Sequence, residues 1–121
     1  MNKVIFVDDE RNPADVTWID YNTGNAQWIV VRTFNEFKQL IDGMVSSGQI
    51  TSVVGYSFDH DLMDFDSTGT EFTGCTCVNY LAQVILDNDL PIPDCYFHTQ
   101  NPCGHQNMQS VLTSLKRFRG Q

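Results

Sequence analysis

Carboxylates and imidazoles crowd three short segments of this 121-residue chain. Asp8-Asp9-Glu10-Arg11 follows one apolar run, Asp59-His60-Asp61 follows another, and His98 begins a third segment that continues through Asn101 and Pro102 to Gly104. Three acids at the end of a buried strand repel one another and resist ionisation. Their hard oxygens suit Mg²⁺, Mn²⁺ or Ca²⁺, against the plainer reading of a solvated turn. Asp59 and Asp61 lie two apart, so at a strand end they can share a face. If Asp59 looks across at Asp8 and Asp9, the three acids call for a cation, and these are the expected metal ligands. His98, with Asp61 or His60 as partner, is the expected general acid or base, because an imidazole ordinarily titrates near neutrality. Arg11 can pair with a carboxylate or grip a phosphate through two parallel hydrogen bonds. Asn101 and the helix start at Gly104 form a plausible seat for an anion. His105 and Asn107 fall in the same first turn, equally suited to capping and to ligand contact.

The elements that must bring these residues together follow from apolar periodicity. Residues 3–7 read as a buried strand ending at the acids, and 28–32 as a second. The stretch 12–27, with Pro13 and many Asn, Asp and Gly residues, breaks regular structure, and Trp18 and Ile19 are expected to pack down within it. Thr33-x-x-Glu36 is a capping box for a helix carrying Phe34, Phe37, Leu40, Ile41 and Met44 at helical spacing, stopped at Gly48. A third strand spans 52–58, bulged at Gly55. Residues 63–74 read as an acidic loop, and a helix runs from about Cys75 to Asn88. Pro91 and Pro93 lead to a fourth strand, 94–98, and the last helix follows Gly104 with Met108, Val111, Leu112, Leu115 and Phe118 as its buried stripe. Lys116, Arg117 and Arg119 suit the negative end of that helix. The order β–loop–β–α–β–α–β–α predicts a small, mostly parallel α/β sheet flanked by helices. Right-handed crossovers give strand order 2-1-3-4. Such a sheet collects its strand ends along one edge, where ligands bind.

Composition bounds the rest. The length fits one domain, residues 1–121, and 41% hydrophobic residues fit a globular one. No segment reads as a signal peptide or a membrane span, so a cytoplasmic protein is expected. Four cysteines without a C-x-x-C pair fit reduced thiols better than a disulfide framework. A zinc site from Cys103, His105 and His98 is the minor alternative. Fifteen acids against seven bases, a net charge of −8, argue against non-specific nucleic-acid binding. A small phosphate-bearing ligand remains compatible if a divalent ion or a few bases offset its charge locally. Walker, G-x-G-x-x-G and G-x-S-x-G signatures are missing.

Laid out in this way, the chain resembles receiver domains of the response-regulator superfamily, a flavodoxin-like fold. That resemblance implies Mg²⁺ held by Asp8, Asp9 and Asp59, with Asp59 able to take up phosphate. The chain departs from it in lacking a fifth strand and the Lys that ends it, and in carrying His98 where receivers usually have Ser or Thr. It is closer to the cyclic-phosphate-processing receiver-like family of bacteria and phages. The shared pattern is Asp8-Asp9-Glu10-Arg11-x-Pro13, Ser57-Phe58-Asp59-His60-Asp61-Leu62, and His98-x-x-Asn101-Pro102-x-Gly104-x-x-Asn107-Met108. Either Thr68-Gly69 or Thr73-Gly74 stands for its Thr-Gly pair. This likeness implies a metal-assisted phosphoesterase acting on a cyclic phosphate of a nucleotide, an ADP-ribose derivative or an RNA end. A non-catalytic module that binds a partner protein or sequesters a phosphorylated nucleotide is the alternative. A weaker one reads Asp59-x-Asp61 as the nucleophile and acid of a haloacid-dehalogenase phosphatase.

Overall fold

Strand residues of alternate parity separate two unlike faces in the computed structural model, which describes residues 1–120. Its strands are β1 (Lys3–Val7), β2 (Gln27–Val31), β3 (Val53–Phe58), β4 (Asp64–Phe65), β5 (Glu71–Phe72) and β6 (Asp94–Phe97). Its α-helices are α1 (Phe34–Ser47), α2 (Gly74–Asp87) and α3 (Pro102–Phe118). Four strands make a parallel sheet in the order β2-β1-β3-β6. This is the predicted arrangement, with β6 as the fourth strand of the sheet. β4 and β5 form a separate antiparallel hairpin inside the predicted loop. Two-residue strands carry too little alternation to be read from sequence.

One face of the sheet presents Ile5, Val7, Tyr56, Phe58 and Phe97 to a core completed by Phe37 and Ile41 of α1, Leu81 and Ile85 of α2, and Met108 and Leu112 of α3. Each fully buried large side chain contributes roughly 1.5–3 kcal/mol of transfer free energy. All three helices contribute to that one core, with α2 packed between α1 and α3. The opposite parity points Val4, Phe6, Trp28, Ser57 and Tyr96 to the other side, where the segment between β1 and β2 takes the place of a helix. Tyr21 covers this side, edge-on to Trp28 at 5.0 Å and to Tyr96 at 4.9 Å. Val16 is the residue of the loop that goes under; Trp18 stays 45% exposed, contrary to expectation, and Ile19 is half-buried.

Helix ends show which residues carry the signals. Thr33 accepts the Glu36 amide at 3.1 Å, but the Glu36 carboxylate reaches past it to the Arg32 amide at 2.9 Å, so the capping box is only half formed. Gly48 ends α1 at φ +76°, a left-handed conformation that glycine adopts without steric cost. Helix α2 begins one residue earlier than predicted, capped by Thr73. Helix α3 begins at Pro102, so Gly104 lies inside its first turn and not before it. The irregularity in β3 falls between the residues opposite Lys3 and Val4, leaving Val54 as the extra residue beside Gly55.

Candidate functional site

Register delivers the acids to one place. Val7 pairs with Val31 on one side and Phe58 on the other, and Phe58 pairs with Phe97. The next residue of each strand therefore forms a row along the sheet edge: Arg32, Asp8, Asp59, His98. Backbone bonds hold this row, with the Asp8 amide on the Val31 carbonyl (3.2 Å), Asp59 on Val7 (2.8 Å) and His98 on Phe58 (3.1 Å). Above it opens a cleft of about 410 Å³ whose lining includes Asp8, Asp9, Arg11, Asp59, Asp61 and Asn101.

Asp8 is buried and held at both carboxylate oxygens. Its Oδ1 accepts the Glu10 and Arg11 amides at 2.8 Å each, and its Oδ2 faces His98 Nε2 at 3.0 Å and Arg11 Nη1 at 3.5 Å. Burial opposes its ionisation, but the bonds from His98 and from the two amides outweigh burial and hold it well below the usual carboxylate range. Burial, reinforced by the charge of Asp8, pushes both Asp9 and Asp59 upward. Arg11 reaches Asp59 Oδ2 at 3.8 Å as well as Asp8, and its guanidinium stacks over the Trp18 ring at 5.4 Å. Arg32, which the sequence reading passed over, ties the acidic turn down by donating to the carbonyls of Asp8 and Arg11 and to Asn12 Oδ1. Its position at the end of the strand beside β1 was the available signal.

Asp8, Asp9 and Asp59 bring oxygens within 4.8 Å of one another, and among the described residues they form the one such grouping of three potential metal ligands. The donor set is all carboxylate, matching a hard divalent cation. Two of the three are electrostatically strained by their neighbours, with Arg11 as the guanidinium that reaches carboxylate oxygens of the group, and a cation would relieve that strain. The residues present fit a hard divalent cation such as Mg²⁺. Zinc from Cys103, His105 and His98 finds no such grouping, and Cys103 is exposed while His98 is sealed inside.

Asp61 lines the cleft with its side chain 55% exposed, next to His60 Nδ1 at 3.2 Å. Asn101 caps α3 by accepting the Gly104 amide on its Oδ1 (3.1 Å), while its Nδ2 donates to Asp61 Oδ2 (3.1 Å). The His60 amide donates to Asp59 Oδ1 at 2.9 Å. Two glycines clamp this segment. A Cβ on Gly74 would lie 1.9 Å from the Asp59 carbonyl oxygen, and one on Gly104 would lie 2.3 Å from His60 Cγ. Thr73-Gly74 is thus the pair that works at the site, whereas Thr68 and Gly69 belong to the turn between β4 and β5.

Four expected placements need correction. His98 does not face the cleft: it is 0% exposed, stacked on Phe6 at 4.4 Å, with its Nδ1 2.7 Å from Ser57 Oγ. Strand parity sets the face of a residue but not the tilt of its ring, and the small Ser57 leaves room for His98 to lie back across β3. Gly104 is buried, and its amide is spent on Asn101, so it offers no free donor to a phosphate. Asn107 is exposed on α3, outside the cleft lining, one turn too far along the helix. The His60 ring packs at Gly104 and reaches the cleft only through Asp61. Thr99, Gln100 and Met63 line the cleft without having been anticipated.

No curated protein and no solved structure matches the chain. The model of the cyclic-phosphate processing receiver domain does match, over residues 3–114, from β1 into the last turns of α3; with the acidic row, its parallel sheet and its capped third helix accounted for, the chain belongs to that family.

Proposed function

We propose that this domain opens a cyclic phosphate carried on a ribose, in a nucleotide, an ADP-ribose type ligand or the end of an RNA, with Mg²⁺ or Mn²⁺ held by Asp8, Asp9 and Asp59. The observation that carries this reading is the shared cleft: Asp8, Asp9, Asp59, Arg11, Asn101 and Asp61 all line it. When bound, the cation would polarise a phosphoryl oxygen and lower the pKa of nearby water. Arg11 supplies planar donors to non-bridging oxygens as negative charge builds. Asp61, exposed and oriented by both Asn101 and His60, accepts a proton as water adds to phosphorus. One P–O ester bond breaks as the new one forms, and the released ribose oxygen takes up the proton. His98 lies behind Asp8 and takes no part at the reacting atoms.

The net charge of −8 favours a small ligand over a long polyanion. We place the reaction in the cytoplasm, where four free cysteines stay reduced. Among the described residues no helix is long and apolar enough to cross a membrane.

The test is purified protein with 2′,3′-cyclic nucleotides and ADP-ribose cyclic phosphate, with Mg²⁺ or Mn²⁺, followed by ³¹P NMR. Ring opening that needs the metal and is lost in Asp59→Asn and Asp61→Asn is expected. A second reading has its own support: among the described residues no histidine side chain lines the cleft directly. A module that holds the cyclic phosphate without opening it, alone or for a partner protein, would show saturable binding and no new phosphorus signal. Neither binding nor turnover of any of these ligands would remove both readings.

A further inference from the structure

Behind Asp8 runs an unbranched line of four side chains drawn from four different segments. Asp8 Oδ2 lies 3.0 Å from His98 Nε2, and His98 Nδ1 lies 2.7 Å from Ser57 Oγ. Ser57 Oγ is in turn 2.6 Å from the Tyr21 hydroxyl, on the loop between β1 and β2. Ser57 and His98 are both 0% exposed, and Asp8 is 1% exposed. The ring of His98 lies parallel to Phe6, 4° off, so it cannot turn without breaking the line.

The direction of each bond follows from what each atom can do. An ionised carboxylate only accepts, so Nε2 must carry its hydrogen toward Asp8. With one hydrogen on the ring, Nδ1 is then a bare acceptor, which the Ser57 hydroxyl fills. The Ser57 oxygen is left to accept from Tyr21. Every donor thus points toward Asp8. The order Ser, His, Asp matches the polarity of a nucleophilic triad. Here, however, the serine has no exposed surface, and its oxygen already takes the tyrosine proton, so nothing can be attacked by it.

We infer that Tyr21, Ser57 and His98 are positioning residues, a one-way hydrogen-bond relay that fixes the Asp8 carboxylate for a divalent cation and makes cation affinity depend on how the loop between β1 and β2 is seated. This rests on the reading of Asp8 as a metal ligand given above. Partners behind a first ligand typically change metal affinity 10- to 100-fold when removed. The relay explains a fully buried histidine beside a fully buried acid without asking either to reach substrate.

The experiment compares wild type with Ser57→Ala, Ser57→Thr and Tyr21→Phe. Imidazole ¹⁵N shifts are recorded on the metal-free protein, and Mn²⁺ affinity is measured by calorimetry. Wild type is expected to show His98 with hydrogen on Nε2 alone. Ser57→Ala should lose that single tautomer and bind Mn²⁺ about 10-fold more weakly. Ser57→Thr should restore both, and Tyr21→Phe should move the Nδ1 signal and weaken Mn²⁺ less. Unchanged His98 signals and unchanged affinity in Ser57→Ala would overturn the relay. Should that variant fail to fold, the same null result in Tyr21→Phe would do so. Hydrogen on Nδ1 in the wild type would also overturn it, whether or not metal binds. Wild type that shows the expected tautomer but binds no Mn²⁺ would instead defeat the assignment of Asp8 as a ligand, and with it the link to cation affinity.

Discussion

Asp9 and Asp59 sit above the ordinary carboxylate range, first because they are buried and then because Asp8 stands beside them ionised. A carboxyl whose pKa is raised by folding binds its proton more tightly in the folded state, so acidification stabilises the fold through it. Asp8 is depressed and works the other way: its contribution is complete above the unfolded carboxylate pKa and is lost as pH falls below it. The metal-free protein should therefore melt higher through Asp9 and Asp59 as pH falls from neutral toward the unfolded carboxylate pKa, then lower through Asp8 once pH passes below that value, roughly 4. Asp59→Asn should flatten the rise, which differential scanning calorimetry across pH can check. Arg11→Lys keeps the charge but loses the planar fork. It should weaken binding of a cyclic phosphate roughly ten-fold, the scale of one hydrogen bond to a charged group, as measured by calorimetric titration. The acids were legible in the sequence because carboxylates are conspicuous at the ends of apolar runs. His98 was placed correctly on its strand and wrongly in space: its ring leans back over Ser57, and only the size of that neighbour, not any periodicity, hinted at it.

Helix starts, more than strands, hold the site in shape. Thr73 and Asn101 cap α2 and α3, and the glycines just inside each cap let the helices close on Asp59 and His60. Gly74→Ala forces a methyl group onto the Asp59 carbonyl, backbone against backbone. It should cost about 1–3 kcal/mol by urea denaturation and also weaken Mn²⁺ binding. Gly104→Ala meets Cβ and Cγ of His60, which cannot clear the new methyl without moving their own backbone, so it too should lower stability while disturbing the His60–Asp61 pair and turnover. The long elements were readable from apolar spacing, and Thr33 and Gly48 from their residue types. The start of α3 was misread by three residues, although Asn101-Pro102 is the usual order for a cap and a first helical residue. The β4–β5 hairpin left no periodic trace, since Asp66 and its bonds to Thr68 and Thr70 organise the turn locally.

At the scale of the molecule, a chain with net charge −8 gathers three of its acids at one sheet edge, with Arg11 reaching the carboxylates of Asp8 and Asp59. That concentration arises because parallel strands of matching register end together, and the right-handed crossover rule made the strand order readable in advance. Among the described residues, the lack of an α-helix between β1 and β2 was legible as a polar, proline-containing stretch, but that stretch's role as a cover over Tyr96 and Trp28 was not. A cation that binds only the folded state stabilises it by about 2.7 kcal/mol at a hundred-fold excess over its dissociation constant. Millimolar Mg²⁺ should accordingly raise the melting temperature well beyond the same ionic strength of NaCl, and Asp59→Asn should erase the difference.

The most direct test joins ion and ligand in one measurement: paramagnetic relaxation of the phosphorus of a 2′,3′-cyclic nucleotide by protein-bound Mn²⁺. The cleft described above predicts strong relaxation in wild type, reflecting phosphorus close to the ion, and its loss in Asp59→Asn. Equal relaxation in the two proteins would mean that the acidic row and the phosphate do not share a site.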